Sequence, residues 1–301
     1  MSLGVLNNIA ATYAANNLSN TQSSLQNVLT QLSSGSRINS GADDAAGLSL
    51  ADGLQANQSA LTQSASNVNL GVGLLQTADG ALSQVNNLLN RAVTLATEAG
   101  NGTLNSSQTG AANQEYQSIL AEINNIGAAT TYNSQAVFGS AAATPASFSI
   151  YTSDGTATGT STDTLSIATL SSKSVGDSGG VVSSGTGNSI AYAVGTGVNL
   201  STTTLSSSTS AQTALTAINS AISAVAAQRG YLGSQINTLN SMASVETTQS
   251  ENLASAENSV MATDYTQATS ELSKYQILTQ TGISALAQAN STQQAVTKLL
   301  Q

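Results

Sequence analysis

With no cysteine and no histidine in 301 residues, this chain lacks most of the side chains that do chemistry near neutral pH. Thiol nucleophiles, disulfides, imidazole acid–base pairs and nearly every usual zinc site need one or the other. Carboxylates, lysines and hydroxyls remain. The adjacent Asp43 and Asp44 are the obvious carboxylate pair. They read either as paired acids or as the start of a helix, where the positive end of the helix dipole favours acids, and the helix start is the commoner meaning. The basic residues Arg37, Arg91, Lys173, Arg229, Lys274 and Lys298 are scattered singly. No basic stripe exists to neutralise phosphates, so nucleic acid is not an expected partner. No catalytic, cofactor-binding or metal-binding residue is predicted, and the chain does not read as an enzyme.

Only 7 % of the residues are charged and the net charge is −9, against roughly 25 % charged in an ordinary soluble domain. Ser, Thr, Asn and Gln cover the surface in their place. Neutral amides and hydroxyls supply little like-charge repulsion between copies, which permits high-order self-association. No apolar run approaches the ~20 residues that span a bilayer, so no membrane partner is expected. The first basic residue is Arg37, so no charged n-region precedes an apolar segment, and export without a cleaved signal peptide is predicted.

The elements carrying these residues fall in three zones: a Leu/Ala/Asn-rich segment to about 138, a Gly/Ser/Thr-rich middle, and a Leu/Ile/Ala-rich segment from about 210 to 301. Leu18, Leu25 and Leu32 recur every seven residues, with Val28 and Leu29 assigned to the same stripe, and this helix stops at Ser33-Ser34-Gly35-Ser36. From Asp43-Asp44 to about 99 a second helix carries Leu54, Leu61 and Val68, then Leu75, Ala78, Leu82, Val85, Leu89, Ala92 and Ala96 in steps of three and four. That is a coiled-coil seam, and it cannot bury itself alone. Gly100-Asn101-Gly102 breaks it, and Tyr116, Ile119, Ile123 and Ile126 mark a returning helix. Ile222, Val225, Arg229, Leu232, Ile236, Leu239 and Ala243 repeat the alternation. Arg229 on that seam is read as a packed stem whose guanidinium reaches water. A last helix from near Asp264 presents Leu272, Tyr275, Ile283, Leu286, Val296 and Leu299.

In the middle, Phe148–Tyr151 and Thr164–Ile167 alternate around Ser153-Asp154-Gly155 and predict a β-hairpin, with a further strand at Ser189–Val194. The fold class is therefore mainly α: a long coiled-coil-like bundle built from the N- and C-terminal segments, with a small β-hairpin or β-rich central region.

The run Leu32-Ser33-Ser34-Gly35-Ser36-Arg37-Ile38-Asn39-Ser40-Gly41-Ala42-Asp43-Asp44-Ala45-Ala46-Gly47 resembles the N-terminal signature of bacterial flagellins. Asp264-Tyr265, Gln276-Ile277-Leu278, Ala287-Gln288-Ala289-Asn290 and Leu299-Leu300 resemble the C-terminal pattern. The resemblance covers about 1–140 and 210–301. It implies an extracellular subunit that polymerises with itself into the flagellar filament. Residues 1–36 and 262–301 would form an inner-tube coiled coil, 37–175 and 205–261 a helical bundle with its hairpin, and 176–204 a short variable surface segment. Implied assembly residues are Leu18, Leu25, Leu32, Arg37, Asp43, Asp44, Leu272, Tyr275, Leu286, Leu299 and Leu300. Arg37 and the two aspartates have two open readings, an ion pair between neighbouring subunits or a local turn with helix capping. Implied partners are an export chaperone, the type III export apparatus, the filament cap and the hook-junction proteins.

Flagellins are also read by a vertebrate innate immune receptor, and Arg91 and Leu95 match its recognition positions, while Thr94 stands where a recognised flagellin has Glu. Weak or no receptor activation follows. A hook–filament junction protein and a secreted adhesin or binding module are the alternatives. A metalloprotease insert would need His-Glu-x-x-His, which a chain without histidine cannot supply.

Overall fold

Leu75, Ala78, Leu82, Val85, Leu89, Ala92 and Ala96, the seam read from the sequence, are all closed to solvent. The computed structural model describes residues 8–139, 145–153, 162–177, 181–184, 190–193 and 197–299. Its helices are α1 (Ile9–Ser34), α2 (Ala45–Gly100), α3 (Ser106–Ala129), α4 (Ser208–Met261) and α5 (Tyr265–Leu299). Its strands are β1 (Thr131–Tyr132), β2 (Gln135–Ala136), β3 (Ala146–Tyr151), β4 (Thr162–Ile167), β5 (Val181–Ser184) and β6 (Ile190–Ala193), in three antiparallel pairs. The mainly helical architecture with a small β-rich centre is as expected. By packing, the chain divides into two units, residues 1–56 with 252–301, and residues 57–251.

In the second unit the stripe of α2 packs with Ala112, Tyr116, Ile119 and Ile123 of α3 and with Ala211, Ala214, Ile218, Ala221, Val225, Leu232 and Leu239 of α4. The seam of α4 differs from the reading above. Gln228 and Gln235 are the buried seam residues, and Ile222, Ile236 and Ala243 are partly buried flanks beside it. Glutamine carries an aliphatic stem that packs as well as its amide allows, so apolarity alone picked the neighbouring ladder. Arg229 is corrected too. Its guanidinium does not simply reach water: Nε and Nη2 donate to Asp79 Oδ1 and Oδ2 on α2 at 2.7 and 3.2 Å. Both side chains remain about a third exposed, at 36 % and 37 %.

The punctuation is local chemistry. α3 opens on a capping box, Asn105 accepting from Ser107 and Gln108 amides while the Gln108 side chain accepts from the Asn105 amide. Exposed hydroxyls bond four residues back, as Thr94 to Asn90, Thr97 to Val93 and Ser118 to Gln114, so a Ser/Thr surface consumes much of its own hydrogen-bonding capacity.

β3 and β4 form the predicted hairpin, with Phe148 opposite Leu165 and Ile150 opposite Asp163. The suggested turn at Asp154-Gly155 lies outside the described residues. The predicted 189–194 strand is realised as β6, paired with β5, which the sequence reading did not propose; Ser189 and Val194 are not among the described residues. The short pair β1–β2 was also not anticipated. Its turn, Asn133-Ser134, holds both residues at positive φ, 48° and 64°, the conformation of a tight two-residue hairpin loop. The segment Ala168–Val175 folds back with Leu170 and Val175 buried, and Gly176, at φ +67°, lies against α4 so closely that a Cβ would meet Ala224 C and Val225 N at 2.5 Å.

Two glycine substitutions separate these roles. Gly176→Ala is expected to destabilise by on the order of 1–3 kcal/mol or more, from left-handed strain and backbone overlap. Gly80→Ala, in the middle of α2 with nothing within 4 Å of its Cβ position, is expected to stabilise by about 0.5–1 kcal/mol. Denaturant midpoints of the two variants check both signs. A double-mutant cycle on Arg229 and Asp79 is expected to return a coupling of about 0.2–1 kcal/mol, the range of a solvent-screened pair.

Candidate assembly surface

α1 and α5 pair in the first unit. Counting in threes and fours, Ala11, Ala14, Leu18, Thr21, Leu25, Val28 and Leu32 are the shielded positions of α1. Ala268, Leu272, Tyr275, Thr279, Gly282, Leu286 and Ala289 are those of α5. The pair runs antiparallel. Asn8 caps α1 by accepting from the Ala11 amide at 3.0 Å and donates to the Ala289 carbonyl at 3.1 Å. Further along, a Cβ on Gly282 would touch Leu18 Cδ1 at 3.2 Å, so glycine lets the helices approach.

Leu18, Leu25, Leu32, Leu272, Tyr275 and Leu286 thus come together in one intramolecular seam. Leu29 and Ile283, assigned to these stripes from sequence, do not: they are 47 % and 49 % exposed. Gly282, not Ile283, keeps the three–four beat counted from Leu272. The side chain of Leu299 and all of Leu300 lie outside the described residues.

Where α1 ends, Gly35 takes the left-handed conformation (φ 73°) and its amide returns to the Gln31 carbonyl. The next residues run beside the end of α4: the Thr263 amide donates to Gly35 O at 3.0 Å and the Arg37 amide to Met261 O at 2.6 Å. Arg37 Nη2 also donates to the Val260 carbonyl at 2.9 Å, placing a cation on the negative C-terminal turn of α4. Asp43 Oδ2 accepts from the Asn39 amide, the Ser40 amide and the Ser40 hydroxyl. These bonds hold its carboxyl below the usual range, with the Asn39 amide the largest cause. Asp44 Oδ1 accepts from the Ala46 and Gly47 amides at 3.1 and 2.9 Å, capping α2. A Cβ on Gly47 would strike Asp44 Oδ2 and Ile38 Cδ1 at 2.5 and 2.6 Å. Within one chain the arginine and the two aspartates therefore serve the local turn and its caps, and they do not pair with each other.

Around the seam stands apolar surface that the sequence reading missed as such. Ile9, Tyr13, Leu29, Tyr265, Ile277, Leu278 and Ile283 are all exposed, Tyr13 and Ile277 by 67 % and 66 %. The signal was available: a helix pair buries one stripe per helix, and each helix here carries apolar residues off that stripe.

Of the two receptor-matching residues, Arg91 is exposed and pairs with Glu115 at 2.7 Å. This bond draws the Glu115 carboxyl down. Leu95 is buried, 3 % exposed, in the bundle core. No group of three or more metal-ligating side chains occurs among the described residues, and no described helix is long and apolar enough to cross a membrane.

Asp44→Ala is expected to cost about 1 kcal/mol through the lost cap, read as a lower thermal midpoint. Asp43 acts with a definite sign: its lowered value gives stability that is present above the pKa of an unfolded aspartate and lost as pH falls through the folded one. Asp43→Asn is expected to flatten that acid limb of the stability–pH curve.

Residues 5–143 match the model of the bacterial flagellin N-terminal helical region, and residues 215–300 that of the bacterial flagellin C-terminal helical region. The flagellin of Listeria innocua is 31 % identical over 271 residues, 90 % of each chain. Flagellin 1 of Proteus mirabilis is 42 % identical over 118 residues, 39 % of this chain and 32 % of that one. A solved structure, Bacillus cereus flagellin, is 26 % identical, with a TM-score of 0.45 and coverage of 64 % of this chain and 94 % of that one. These matches do not favour a junction protein or an adhesin. The chain belongs to the bacterial flagellins, the structural subunits that polymerise into the extracellular flagellar filament.

Proposed function

We propose that the chain enters the filament through its α1–α5 pair. Residues 1–36 and 262–301 make the inner tube, 37–175 with 205–261 the bundle and its hairpin, and 176–204 a short variable segment whose Gly176 and Leu200 are buried in the bundle. The breaks support these limits: α1 ends at Ser34, α4 ends at Met261 and α5 starts at Tyr265. The observation that carries the reading is the exposed apolar set Ile9, Tyr13, Leu29, Tyr265, Ile277, Leu278 and Ile283. Apolar area left in water by one two-helix coil is what a neighbouring coil would bury. A heterologous contact of that kind, repeated without closing a ring, gives an open helix.

Leu18, Leu25, Leu32, Leu272, Tyr275 and Leu286 hold the coil, Arg37, Asp43 and Asp44 set its junction, and Leu299 and Leu300 are assigned to assembly from the sequence alone. The exposed guanidinium of Arg37 uses Nη2 on Val260, and its remaining donors suit a carboxylate of the next subunit. An export chaperone holding the C-terminal helix, the filament cap and the hook-junction proteins are the further partners. At the receptor-matching positions, Thr94 is a neutral residue bonded to its own helix and Leu95 is buried, which supports weak receptor activation.

Electron microscopy after salt-induced polymerisation tests this. Long fibres are expected from the full chain and none from a chain lacking 1–36 and 262–301. Ile277→Asp is expected to abolish fibres while leaving the unfolding free energy of the 57–251 unit within about 0.5 kcal/mol of the parent, as for a surface change. Arg37→Ala is expected to raise the critical concentration more than it lowers monomer stability. Equal losses in both would place Arg37 in the fold alone.

A further inference from the structure

The seam between α2 and α4 contains one carboxylate. Glu246 lies seven residues beyond Leu239 on the buried beat of α4 and is 5 % exposed. Opposite it, Ser64 lies four residues before Val68 on the beat of α2 and is 1 % exposed. Ser64 Oγ stands 2.7 Å from Glu246 Oε1 and 3.3 Å from the carbonyl oxygen of Tyr151, at the end of β3. Glu246 Oε2 has no partner.

Counting protons decides what this arrangement is. A serine hydroxyl has one hydrogen, whereas an ionised Glu246 and the Tyr151 carbonyl are both acceptors. An ionised carboxylate here would leave one of Ser64's contacts without a proton between its oxygens, and would hold a buried charge with one oxygen bare, at a large desolvation cost. A neutral acid resolves both difficulties: its O–H donates to Ser64 Oγ, and Ser64 O–H then donates to Tyr151 O. We propose that Glu246 is carried as a protonated acid that latches the hairpin to both long helices through Ser64, and that rising pH opens this latch.

The neighbouring charges leave the acid to itself. Asp79 of α2 and Arg229 of α4 are paired with each other. Asp163 of β4, half-buried, carries its own burial-driven upward shift. Asp52, Arg91 and Glu98 of α2, Tyr151 of β3, and Tyr231, Glu251 and Glu257 of α4 complete the titratable set on these elements, and among the described residues none forms an ion pair with Glu246. Burial raises the Glu246 carboxyl above the ordinary glutamate value, and the Ser64 contact offsets this only in part. For an acid raised in the fold, the stabilisation is full below the unfolded pKa and is lost as pH rises through the folded one. When the proton leaves, Ser64 turns its single hydrogen to the carboxylate. Tyr151 O then loses the Ser64 hydrogen and keeps the longer 3.4 Å contact from Asn67 Nδ2.

The test uses the full-length monomer with ¹³C-labelled glutamate, the Glu246 carboxyl signal being identified by its loss in Glu246→Gln. That signal is expected to titrate above those of the exposed glutamates. Amide exchange at Ile150 and Tyr151, corrected for intrinsic rates, is expected to quicken through the same midpoint. Glu246→Gln, which keeps a neutral donor, is expected to stay slow across that range, and Ser64→Ala to be fast throughout. A Glu246 signal titrating with the exposed glutamates overturns the proposal, as does hairpin exchange that ignores the Glu246 midpoint. Should Glu246→Gln fail to fold, Glu246→Asp identifies the signal and the titration of the native chain still decides.

Discussion

A helix with apolar residues every three and four positions cannot bury them within itself, and every element of this protein depends on that constraint. The α2 stripe from Leu61 to Ala99 is closed because α3 and α4 supply facing stripes of the same period. Burying each Leu or Val in such a seam contributes about 1.5–3 kcal/mol, while a helix pairing with nothing would have to exist on weak local propensity. The paired α1 and α5 obey the same rule with smaller residues. Ala11, Ala14, Thr21, Thr279 and Gly282 alternate there with leucines, so the seam closes at short range and leaves apolar side chains on the outer faces. Those faces leave exposed apolar side chains on the two chain ends.

Polar residues in the seams do a different job from the leucines. An all-apolar three–four ladder tolerates a slip by one heptad at modest cost, and a buried polar group with one matched partner does not. Ser64 and Glu246 meet only in the native register of α2 and α4. Arg229 and Asp79 repeat the match on the rim of the same pair of helices. Gln228 is a further polar group in the α4 seam, 1 % exposed with neither amide atom hydrogen-bonded, and such a group lowers stability in any register. Long helices of repetitive composition need such marks, since Ala, Leu, Ser and Asn recur too often for shape alone to fix one alignment.

Much of this fold was legible because period is a property of sequence. The α2 seam and the break at 100–102 follow from spacing and from glycine chemistry, and the β3–β4 hairpin, though not its register, follows from the alternation of its two strands. The seam of α4 did not, because two offset ladders share Val225, Leu232 and Leu239, and the buried members of the true one are glutamines. Helix packing, which sequence does not contain, selects between them. Strand β5 was missed because Val181–Ser184 is short and set among glycines, and β1–β2 because its turn residues, Asn133 and Ser134, mark it only once their positive φ is known. At the candidate site, the seam leucines were found by their beat. The outward-facing Ile277 and Ile283 were not recognised as separate surface, since a count of apolar residues does not say which of two stripes a partner helix will cover.

The scarcity of charge connects the two units to one behaviour. Hydroxyl side chains on the exposed helix faces bond their own backbone four residues back, so they are half-satisfied before any neighbour arrives, and covering them strips fewer waters than covering lysine or glutamate. With only 7 % charged residues, bringing many copies into contact meets little Coulomb repulsion and little ion desolvation. On such a surface, burying the exposed apolar side chains of α1 and α5 would have few opposing terms to overcome. The same coat would make a chain with exposed apolar side chains along its whole length aggregate without order. Confinement of the bundle's apolar stripes to buried seams, and of the apolar excess described here chiefly to the paired ends, is what turns a sticky composition into a directed one.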